Sequence, residues 1–193
     1  MTSVTFSKMH AQGNDFVILD GRVHTLPEPD AELITALADR RTGIGCDQVL
    51  VLLDDDACDA ALRIFNNDGS EAANCGNGLR CIGSMLLGDK GAASASIRLY
   101  DRSVTCERMD NGIRVHMGKA SITDATAAHV DIDIGNTHRV FFEAVEDFPE
   151  DRNVEIVSGQ VVDEAYIDII ERGAGHTPSC GSGACATAVA IWH

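Results

Sequence analysis

One pattern occurs in both halves of the chain: a β-type run, a polar stretch, and a Cys-Gly-x-Gly start to an apolar helix. When Cys75 is placed on Cys180, the segment RIFNNDGSEAANCGNG aligns with DIIERGAGHTPSCGSG without a gap, and Asn66 falls on Glu171. Few residues are identical, but the segments agree in order and character, which an internal duplication explains most simply. The sequence therefore predicts two like lobes. Their cysteine-bearing helix starts are expected to be related by pseudo-twofold symmetry and to face a common cleft.

The segments around this repeat are of both helical and strand type. Residues 29–40 carry apolar side chains at helical spacing after an acidic, proline-containing start, which predicts a helix. Residues 4–7 and 16–19 are short β-type runs, and a turn is expected between them at Gly13-Asn14. Asn111-Gly112 is typical of a tight hairpin turn between two further strands. Both element types are therefore present without any low-complexity linker.

We therefore expect an α+β fold of two pseudo-symmetric lobes, residues 1–118 and residues 119–193. Each lobe is predicted to be a curved, mostly antiparallel sheet around a central helix that starts at its cysteine. The active site is expected between the lobes.

The second lobe is predicted to be incomplete. Asn14 precedes Cys75 by 61 residues, whereas its counterpart Asn136 precedes Cys180 by 44, so the helix expected early in the first lobe has no counterpart. The chain also ends at His193, inside the helix that follows Cys180, so the strands that close the first lobe have no counterpart either.

The two cysteines suit a reaction that inverts a carbon centre, because inversion needs a base on one face and an acid on the other. A helix N-terminus favours an anion and lowers the pKa of a thiol, so a thiolate and a thiol could exchange roles as base and acid. The glycines after each cysteine allow close approach of the backbone, whose N–H groups could bind a substrate carboxylate and stabilise the charge of a deprotonated α-carbon.

Charge and composition limit the possible partners. The formal net charge is −15, a surface that repels phosphate backbones and anionic lipid, so we expect no nucleic-acid partner and no membrane partner. The chain contains no apolar run of the roughly 20 residues that span a bilayer, and its first residues lack an apolar signal core, so a cytoplasmic location is expected. Seven cysteines, an odd number, are not typical of a secreted disulfide framework.

Five signature segments resemble those of the diaminopimelate epimerase family. They are FSKMHAQGNDFVILD, RRTGIGCDQ, FNNDGSEAANCGNGLRC, GNTH and ERGAGHTPSCGSGACA, and they cover both halves of the chain. The resemblance implies an isomerase that needs neither PLP nor a metal ion and interconverts LL- and meso-diaminopimelate for lysine and peptidoglycan synthesis. It also implies a homodimer whose only other partner is the small amino-acid substrate.

The resemblance also assigns roles to individual residues. It implies that Cys75 and Cys180 are the catalytic pair, that His138 and Glu171 are polar residues beside the thiols, and that His138 has a supporting role. The backbone and side chains that would hold the reacting carboxylate are those of Gly76, Asn77, Gly181 and Ser182. The remaining positions that match substrate-binding residues are Asn14, Gln48, Asn66, Asn136, Asn153, Glu171 and Arg172. Arg172 could bind the distal carboxylate through both guanidinium nitrogens, and Glu171 could accept hydrogen bonds from the distal ammonium.

Other interpretations of these residues remain open. The spacing of the cysteines does not fit a zinc site, and the glycine-rich segments are neither a dinucleotide fingerprint nor a P-loop. Two facing thiols could oxidise to a disulfide, so a thiol-redox or inactive truncated protein is one alternative function. A second alternative is a racemase or isomerase of the same fold that acts on another amino acid. The cysteines read as small buried hydrophobes are Cys46, Cys58, Cys81, Cys106 and Cys185.

Overall fold

The computed structural model describes residues 4–161 and 164–193, and the chain divides into two compact units, Met1–His116 and Met117–His193. Each unit is one curled, mostly antiparallel sheet with a long helix against it, which confirms the predicted fold class. The described elements of the first unit are β1 (Ser7–Ala11), β2 (Asn14–Asp20), α1 (Ala31–Ala38), β3 (Gln48–Leu53), β4 (Ala60–Asn66), β5 (Glu71–Ala72), α2 (Gly76–Lys90), β6 (Ser94–Arg98), β7 (Ser103–Met109) and β8 (Gly112–His116).

The sheet of the first unit has the strand order β1-β2-β3-β4-β6-β7-β8, and β5 pairs with β4. The β2–β3 and β4–β6 pairs are parallel, and helices α1 and α2 lie on the two crossovers. A sheet with helices on both faces needs apolar side chains on both faces. Val17 packs with Ile34 of α1, whereas the adjacent Phe16, also fully buried, points to the opposite face, where Leu50 lies under Gly78 of α2.

The described elements of the second unit are β9 (Ser121–Ala125), β10 (His129–Asp133), β11 (Thr137–Phe141), β12 (Asn153–Val161), β13 (Glu164–Glu171), β14 (Gly175–His176) and α3 (Gly181–Trp192). Their order in the sheet is β14-β13-β12-β11-β10-β9, with β11 and β12 parallel. Helix α3 packs on β10, β11 and β12 through a cluster that includes Ala186, Val130 and Val140.

The two units share one topology over most of their length. Strands β1 to β5 followed by α2 in the first unit correspond in order, direction and neighbours to β10 to β14 followed by α3 in the second. The register corresponds as well, because Phe16 pairs with Gln48 where His138 pairs with Asn153. This agreement supports the internal duplication that the sequence predicts.

The units differ at the parallel crossover. Residues 142–152, all of them described, contain no helix, whereas α1 fills the corresponding stretch of the first unit. Val145 and Phe148 from this irregular segment instead pack against the buried Phe141, Val154 and Ile170. Two apolar side chains in a short loop thus cover the sheet face that a helix covers in the first unit.

The first hairpin differs from the expected one by a single residue. Ala11 pairs with Asn14, so the turn is Gln12-Gly13 and not Gly13-Asn14. Both turn residues have positive φ, 53° and 86°, as a two-residue hairpin turn that matches strand twist requires. Asn14 is therefore the first residue of β2 and is held by strand pairing, not in the turn.

Other element boundaries shift for equally local reasons. The β7–β8 turn is Asp110-Asn111, because Met109 pairs with Gly112. Helix α1 is shorter than the predicted 29–40, since Asp30 caps its first turn by accepting a hydrogen bond from Leu33 N at 2.8 Å. The first strand begins at Ser7, so residues 4–6 are not part of it.

Candidate active site

Each of the two central helices begins directly after its cysteine, and the cysteine side chain caps it. Cys75 Sγ accepts a hydrogen bond from Gly78 N at 3.3 Å, and Cys180 Sγ accepts one from Gly183 N at 3.4 Å. Both cysteines have extended backbone angles, as an N-cap residue does. Each sulfur therefore lies in the positive field of a helix N-terminus, where a thiolate is favoured.

The polar residues predicted in the first unit lie together at one edge of its sheet. Asn14 and Gln48 begin the parallel strands β2 and β3, and Asn66 ends the antiparallel strand β4. Gln48 Nε2 donates to Asn66 Oδ1 at 2.9 Å, and Asn66 Nδ2 donates to Ser70 Oγ at 3.0 Å. Register across three strands thus gathers side chains that are far apart in sequence.

Asn14 connects this edge to the first cysteine. The Cys75 thiol lies 3.8 Å from Asn14 Oδ1 in donor geometry. Asn14 Nδ2 donates to Asp47 Oδ2 at 3.1 Å, which fixes the amide with its oxygen toward the sulfur. Asp47 Oδ1 in turn accepts from Arg40 Nη2 at 2.7 Å. Neither Asp47 nor Arg40 was singled out from the sequence, although both belong to the RRTGIGCDQ segment.

Charges hold this network in place. Asp15 N donates to Asp47 and Asp47 N donates to Asp15, each at 3.0 Å. Burial raises the pKa of Asp15, but hydrogen bonds from Arg40, Lys8 and Asp47 outweigh burial and hold that pKa well below its usual range. Asp15 is therefore ionised at neutral pH and anchors the segment that carries Asp47.

Gly76 and Asn77 open α2. Asn77 is almost completely buried, and its Oδ1 accepts from Arg80 Nη1 at 2.9 Å, one helical turn later. The side chain is thereby held within the first turn of the helix. The backbone of these two residues carries N–H groups at the positive end of α2, where a carboxylate binds favourably.

The equivalent sheet edge of the second unit gathers its own predicted residues. Asn136 directly precedes β11, Asn153 begins β12 and Glu171 ends β13. Asn136 Nδ2 donates to Ser182 Oγ at 3.3 Å, and this hydroxyl lies 3.4 Å from Cys180 Sγ. An asparagine therefore supports the cysteine in each unit, directly for Cys75 and through Ser182 for Cys180.

Glu171 lies against Cys180. Its Oε1 accepts from Thr177 Oγ1 at 2.6 Å. Burial raises the pKa of Glu171, while hydrogen bonds from Thr177 and Cys180 oppose the increase. Burial and the neighbouring Glu171 charge raise the pKa of Cys180 to about 12. Cys180 is therefore a thiol at neutral pH, next to a carboxylate that can accept its proton.

Arg172 has a different environment. Its backbone N–H donates to Asn153 Oδ1 at 2.9 Å, and the residue as a whole is exposed. Its guanidinium does not belong to the buried group around Cys180. Among the residues predicted in the second unit, Arg172 thus differs, because its backbone holds it at the sheet edge while the residue is exposed.

His138 and Glu155 form a buried pair within the second unit. His138 Nδ1 and Glu155 Oε1 are 2.8 Å apart, and both side chains have no solvent exposure. His138 was expected to support the thiols; Glu155 was missed. By pattern, the NVEIV segment that contains Glu155 is an ordinary strand. Only the pairing of β11 with β12 brings His138 and Glu155 together.

One other cluster has ligand types suited to a metal ion. Side-chain atoms of Asp124, His129 and Asp131 lie within 4.8 Å of one another. The Asp131 carboxylate, however, already accepts from Arg139 at 2.6 Å and from Arg152 at 2.7 Å. Two guanidinium groups on one carboxylate repel a further cation, so this cluster is best described as an ion-pair network centred on the buried Asp131.

Among the residues that the structure describes, no helix has the length and apolar character needed to cross a membrane.

The sequence profile of the diaminopimelate epimerase family matches residues 6–123 of this chain. The chain is 37% identical to the diaminopimelate epimerase of Erythrobacter litoralis, over 97% of this chain and 81% of that protein. It is also 37% identical to the diaminopimelate epimerase of Rhodospirillum centenum, over 96% of this chain and 76% of that protein. Its fold is similar to that of a hydroxyproline epimerase from Agrobacterium vitis with bound trans-4-hydroxy-L-proline. That match has a TM-score of 0.70 and 15% identity and covers 95% of this chain and 75% of the other.

Proposed function

The chain belongs to the diaminopimelate epimerase family, and on that premise we propose that it interconverts LL- and meso-diaminopimelate without PLP. One observation carries the proposal: two cysteines at equivalent positions of a duplicated fold each cap the N-terminus of a glycine-rich helix. Two like groups that can each exist as thiolate or thiol are what removal of a proton from one face and its return to the other require.

In this mechanism Cys75 and Cys180 act as base and acid and exchange these roles with the direction of the reaction. The thiolate takes the α-proton, and the S–H bond of the other cysteine breaks as its proton reaches the opposite face of the carbon. The N–H groups of Gly76, Asn77, Gly181 and Ser182 would bind the reacting carboxylate and stabilise the charge of the carbanion. Each protonation step then occurs beside a helix N-terminus, which favours the negative species.

Glu171 receives a role that differs from binding the distal ammonium. Its carboxylate is beside Cys180 and its pKa is raised by burial, which suits a group that exchanges a proton with the thiol. Arg172 is exposed at the end of the same strand and suits the distal carboxylate. Asn14, Gln48, Asn66, Asn136 and Asn153 would complete the hydrogen-bonding groups around the substrate.

The reaction is tested by incubation with LL-diaminopimelate in deuterated water without PLP. We expect meso-diaminopimelate that carries deuterium at the inverted α-carbon, detected by mass spectrometry after chiral separation. Parallel incubations with L-proline and trans-4-hydroxy-L-proline are expected to give no exchange. If no α-deuterium enters diaminopimelate, the proposed reaction is wrong for this chain; exchange into proline instead would indicate a different substrate of the same fold.

The cysteine roles are tested with Cys75→Ser and Cys180→Ser. Each variant should lose interconversion by roughly 10²-fold to 10⁴-fold, the usual contribution of a general acid or base. The matched control is Cys185→Ser, an exposed cysteine on the same helix as Cys180, which should keep full activity. Full activity in either active-site variant would remove that cysteine from the mechanism, and a disulfide with no stereochemical activity in the wild type would favour the thiol-redox alternative.

We further propose that the enzyme is a cytoplasmic homodimer that supplies lysine and peptidoglycan synthesis, as the family resemblance implies. Sedimentation equilibrium of the purified chain tests the assembly, since a dimer has twice the 20.6 kDa chain mass. A mass that stays at the monomer value over a wide concentration range would contradict the dimer.

A further inference from the structure

The duplication allows a position-by-position comparison of the surroundings of the two cysteines. Phe16 pairs with Gln48 in the first unit, and His138 pairs with Asn153 in the second. Two residues further along β3 and β12 are Leu50 and Glu155. His138 therefore occupies the position of Phe16, and Glu155 occupies the position of Leu50.

Beneath the first turn of α2 the structure is apolar. Phe16 and Leu50 are completely buried, and a Cβ on Gly78 would lie 3.2 Å from Leu50 Cδ2. Beneath the first turn of α3 the corresponding groups are ionisable. A Cβ on Gly183 would overlap Glu155 Oε1 and lie 2.9 Å from its Cδ, so this carboxylate packs directly against the turn that holds Cys180.

Stability does not explain the ionisable pair. An apolar pair fills the same position of the same fold in the first unit, and exchange of a buried ion pair for well-packed apolar residues is often neutral or stabilising. Within the described part of the chain, His138 Nε2 and Glu155 Oε2 are buried and have no hydrogen-bond partner. Unsatisfied buried polar atoms cost free energy, so a contribution to function is the better explanation.

Gly183 connects the pair to the cysteine. Its N–H donates to Cys180 Sγ, while its Cα lies against the Glu155 carboxylate. The side chains that act on Cys180 thus come from three elements: Glu155 on β12, Glu171 on β13 and Ser182 on α3. His138 on β11 pairs with Glu155.

We propose that Glu155 is a positioning residue of the epimerase reaction: paired with His138 beneath α3, it keeps Cys180 in the thiol form, so that the two cysteines ionise at different pH. The Glu155 carboxylate accepts the Nδ1 proton of His138, which fixes the tautomer of the ring. Its negative charge acts on Cys180 in the same direction as burial and Glu171, which together raise the pKa of that thiol. Beneath the helix that follows Cys75, the apolar pair Phe16 and Leu50 occupies this place.

This inference rests on the proposed function for its role in catalysis, but its central measurement needs no substrate. Iodoacetamide alkylates a thiolate and not a thiol, so the alkylation rate follows the ionised fraction of each cysteine. The rate is measured against pH for Cys75 and Cys180 separately, by mass spectrometry of the peptides that contain them. In wild-type enzyme Cys75 should react at lower pH than Cys180.

Glu155→Gln should increase the Cys180 alkylation rate roughly tenfold near pH 8.5, as expected for a pKa lower by about one, and leave the Cys75 profile unchanged. The matched control is Asp168→Asn, which removes an exposed carboxylate from the same sheet and should change neither profile. The double variant His138→Phe with Glu155→Leu copies the pair found beneath α2. It should also increase the alkylation rate of Cys180, and it provides a test even if Glu155→Gln fails to fold.

An unchanged Cys180 profile in a folded Glu155→Gln or double variant would overturn the proposal, even if activity falls, because that result indicates a structural role. An equal shift in the alkylation profiles of Cys75 and Cys180 would overturn the proposal as well. In the deuterium-exchange assay, Glu155→Gln should lower kcat roughly tenfold at unchanged KM. The wild type could exchange no deuterium while Glu155→Gln still increases the alkylation rate of Cys180. In that case the proposed function fails, but the effect of Glu155 on Cys180 is established.

Discussion

At the scale of the residue, the two cysteines show how opposing effects set the ionisation of a thiol. Each sulfur caps a helix, and a helix N-terminus stabilises a negative charge by about 0.3–1 kcal/mol. At Cys180 burial and the Glu171 carboxylate outweigh this contribution and raise the pKa to about 12. At Cys180 the surroundings therefore outweigh the helix that follows and keep the proton on the sulfur.

Asp47 is expected to orient Asn14, whose amide oxygen receives the S–H of Cys75 once that cysteine carries a proton. Asp47→Ala removes the acceptor for Asn14 Nδ2, so the amide can rotate and the sulfur loses a fixed neighbour. We expect kcat for epimerisation to fall roughly 10-fold to 100-fold, the effect of a small misplacement in a catalytic group. Steady-state kinetics with diaminopimelate measure this change.

Asp55→Ala is the matched control for Asp47→Ala. Asp55 also accepts backbone N–H bonds, from Ala57 and Cys58, and one from Arg98 Nε at 3.2 Å, but it does not contact Asn14 or either proposed catalytic cysteine. Both variants should lose some stability as hydrogen bonds are lost. If the two also show equal kcat, Asp47 acts through stability alone.

At the scale of the element, the third residue of each central helix is a glycine, Gly78 or Gly183. Substitution of these glycines tests whether the apolar packing beneath α2 differs from the packing on Glu155 beneath α3. Gly183→Ala would place a methyl group on the Glu155 side chain, whereas in Gly78→Ala the nearest atoms are Leu50 methyl carbons at 3.2 and 3.3 Å. Alanine gains up to about 1 kcal/mol over glycine within a helix. That gain can offset the modest contact at Gly78 but not the overlap at Gly183.

We therefore expect Gly183→Ala to lower the urea midpoint and epimerase activity much more than Gly78→Ala does. Glu155→Ala added to Gly183→Ala should recover most of the lost stability, because it removes the overlapping side chain. Equal urea midpoints for the two single variants would show that Glu155 moves aside freely and that the close packing is not a constraint.

The elements also show what the sequence can predict. Helices α2 and α3 and their cysteine starts follow from local pattern, because a cap, two glycines and an apolar run are consecutive in sequence. The Gly13-Asn14 turn was wrong by one residue, since the pairing of Ala11 with Asn14 decides which residues turn. Glu155 carries no local signal, and Asp47 is marked only by the RRTGIGCDQ segment that contains it. Their importance depends on register between strands, which one sequence does not reveal.

At the scale of the whole molecule, four buried thiols couple stability to alkaline pH. Burial raises the pKa of Cys46, raises those of Cys81 and Cys106 to about 11, and raises that of Cys180 to about 12. Cys106 also directs its thiol to Leu79 O at 3.5 Å, a contact that only the protonated form can make. The folded chain thus holds protons that the unfolded chain releases above pH of about 8.5.

The contribution of these thiols to stability is therefore expected to be constant below about pH 8.5 and to fall as pH rises toward 11. The loss at pH 10 is about 2 kcal/mol for each of Cys81, Cys106 and Cys180. Urea unfolding followed by far-UV circular dichroism, with a reducing agent present, measures the midpoint at each pH. Cys106→Ala lowers the midpoint at every pH because of the cavity it leaves, but its midpoint should fall less steeply above about pH 8.5 than that of the wild type. Cys185→Ala, at an exposed cysteine, should keep the wild-type slope. The same slope in Cys106→Ala and wild type would show that other groups, such as lysine or tyrosine, cause the alkaline loss.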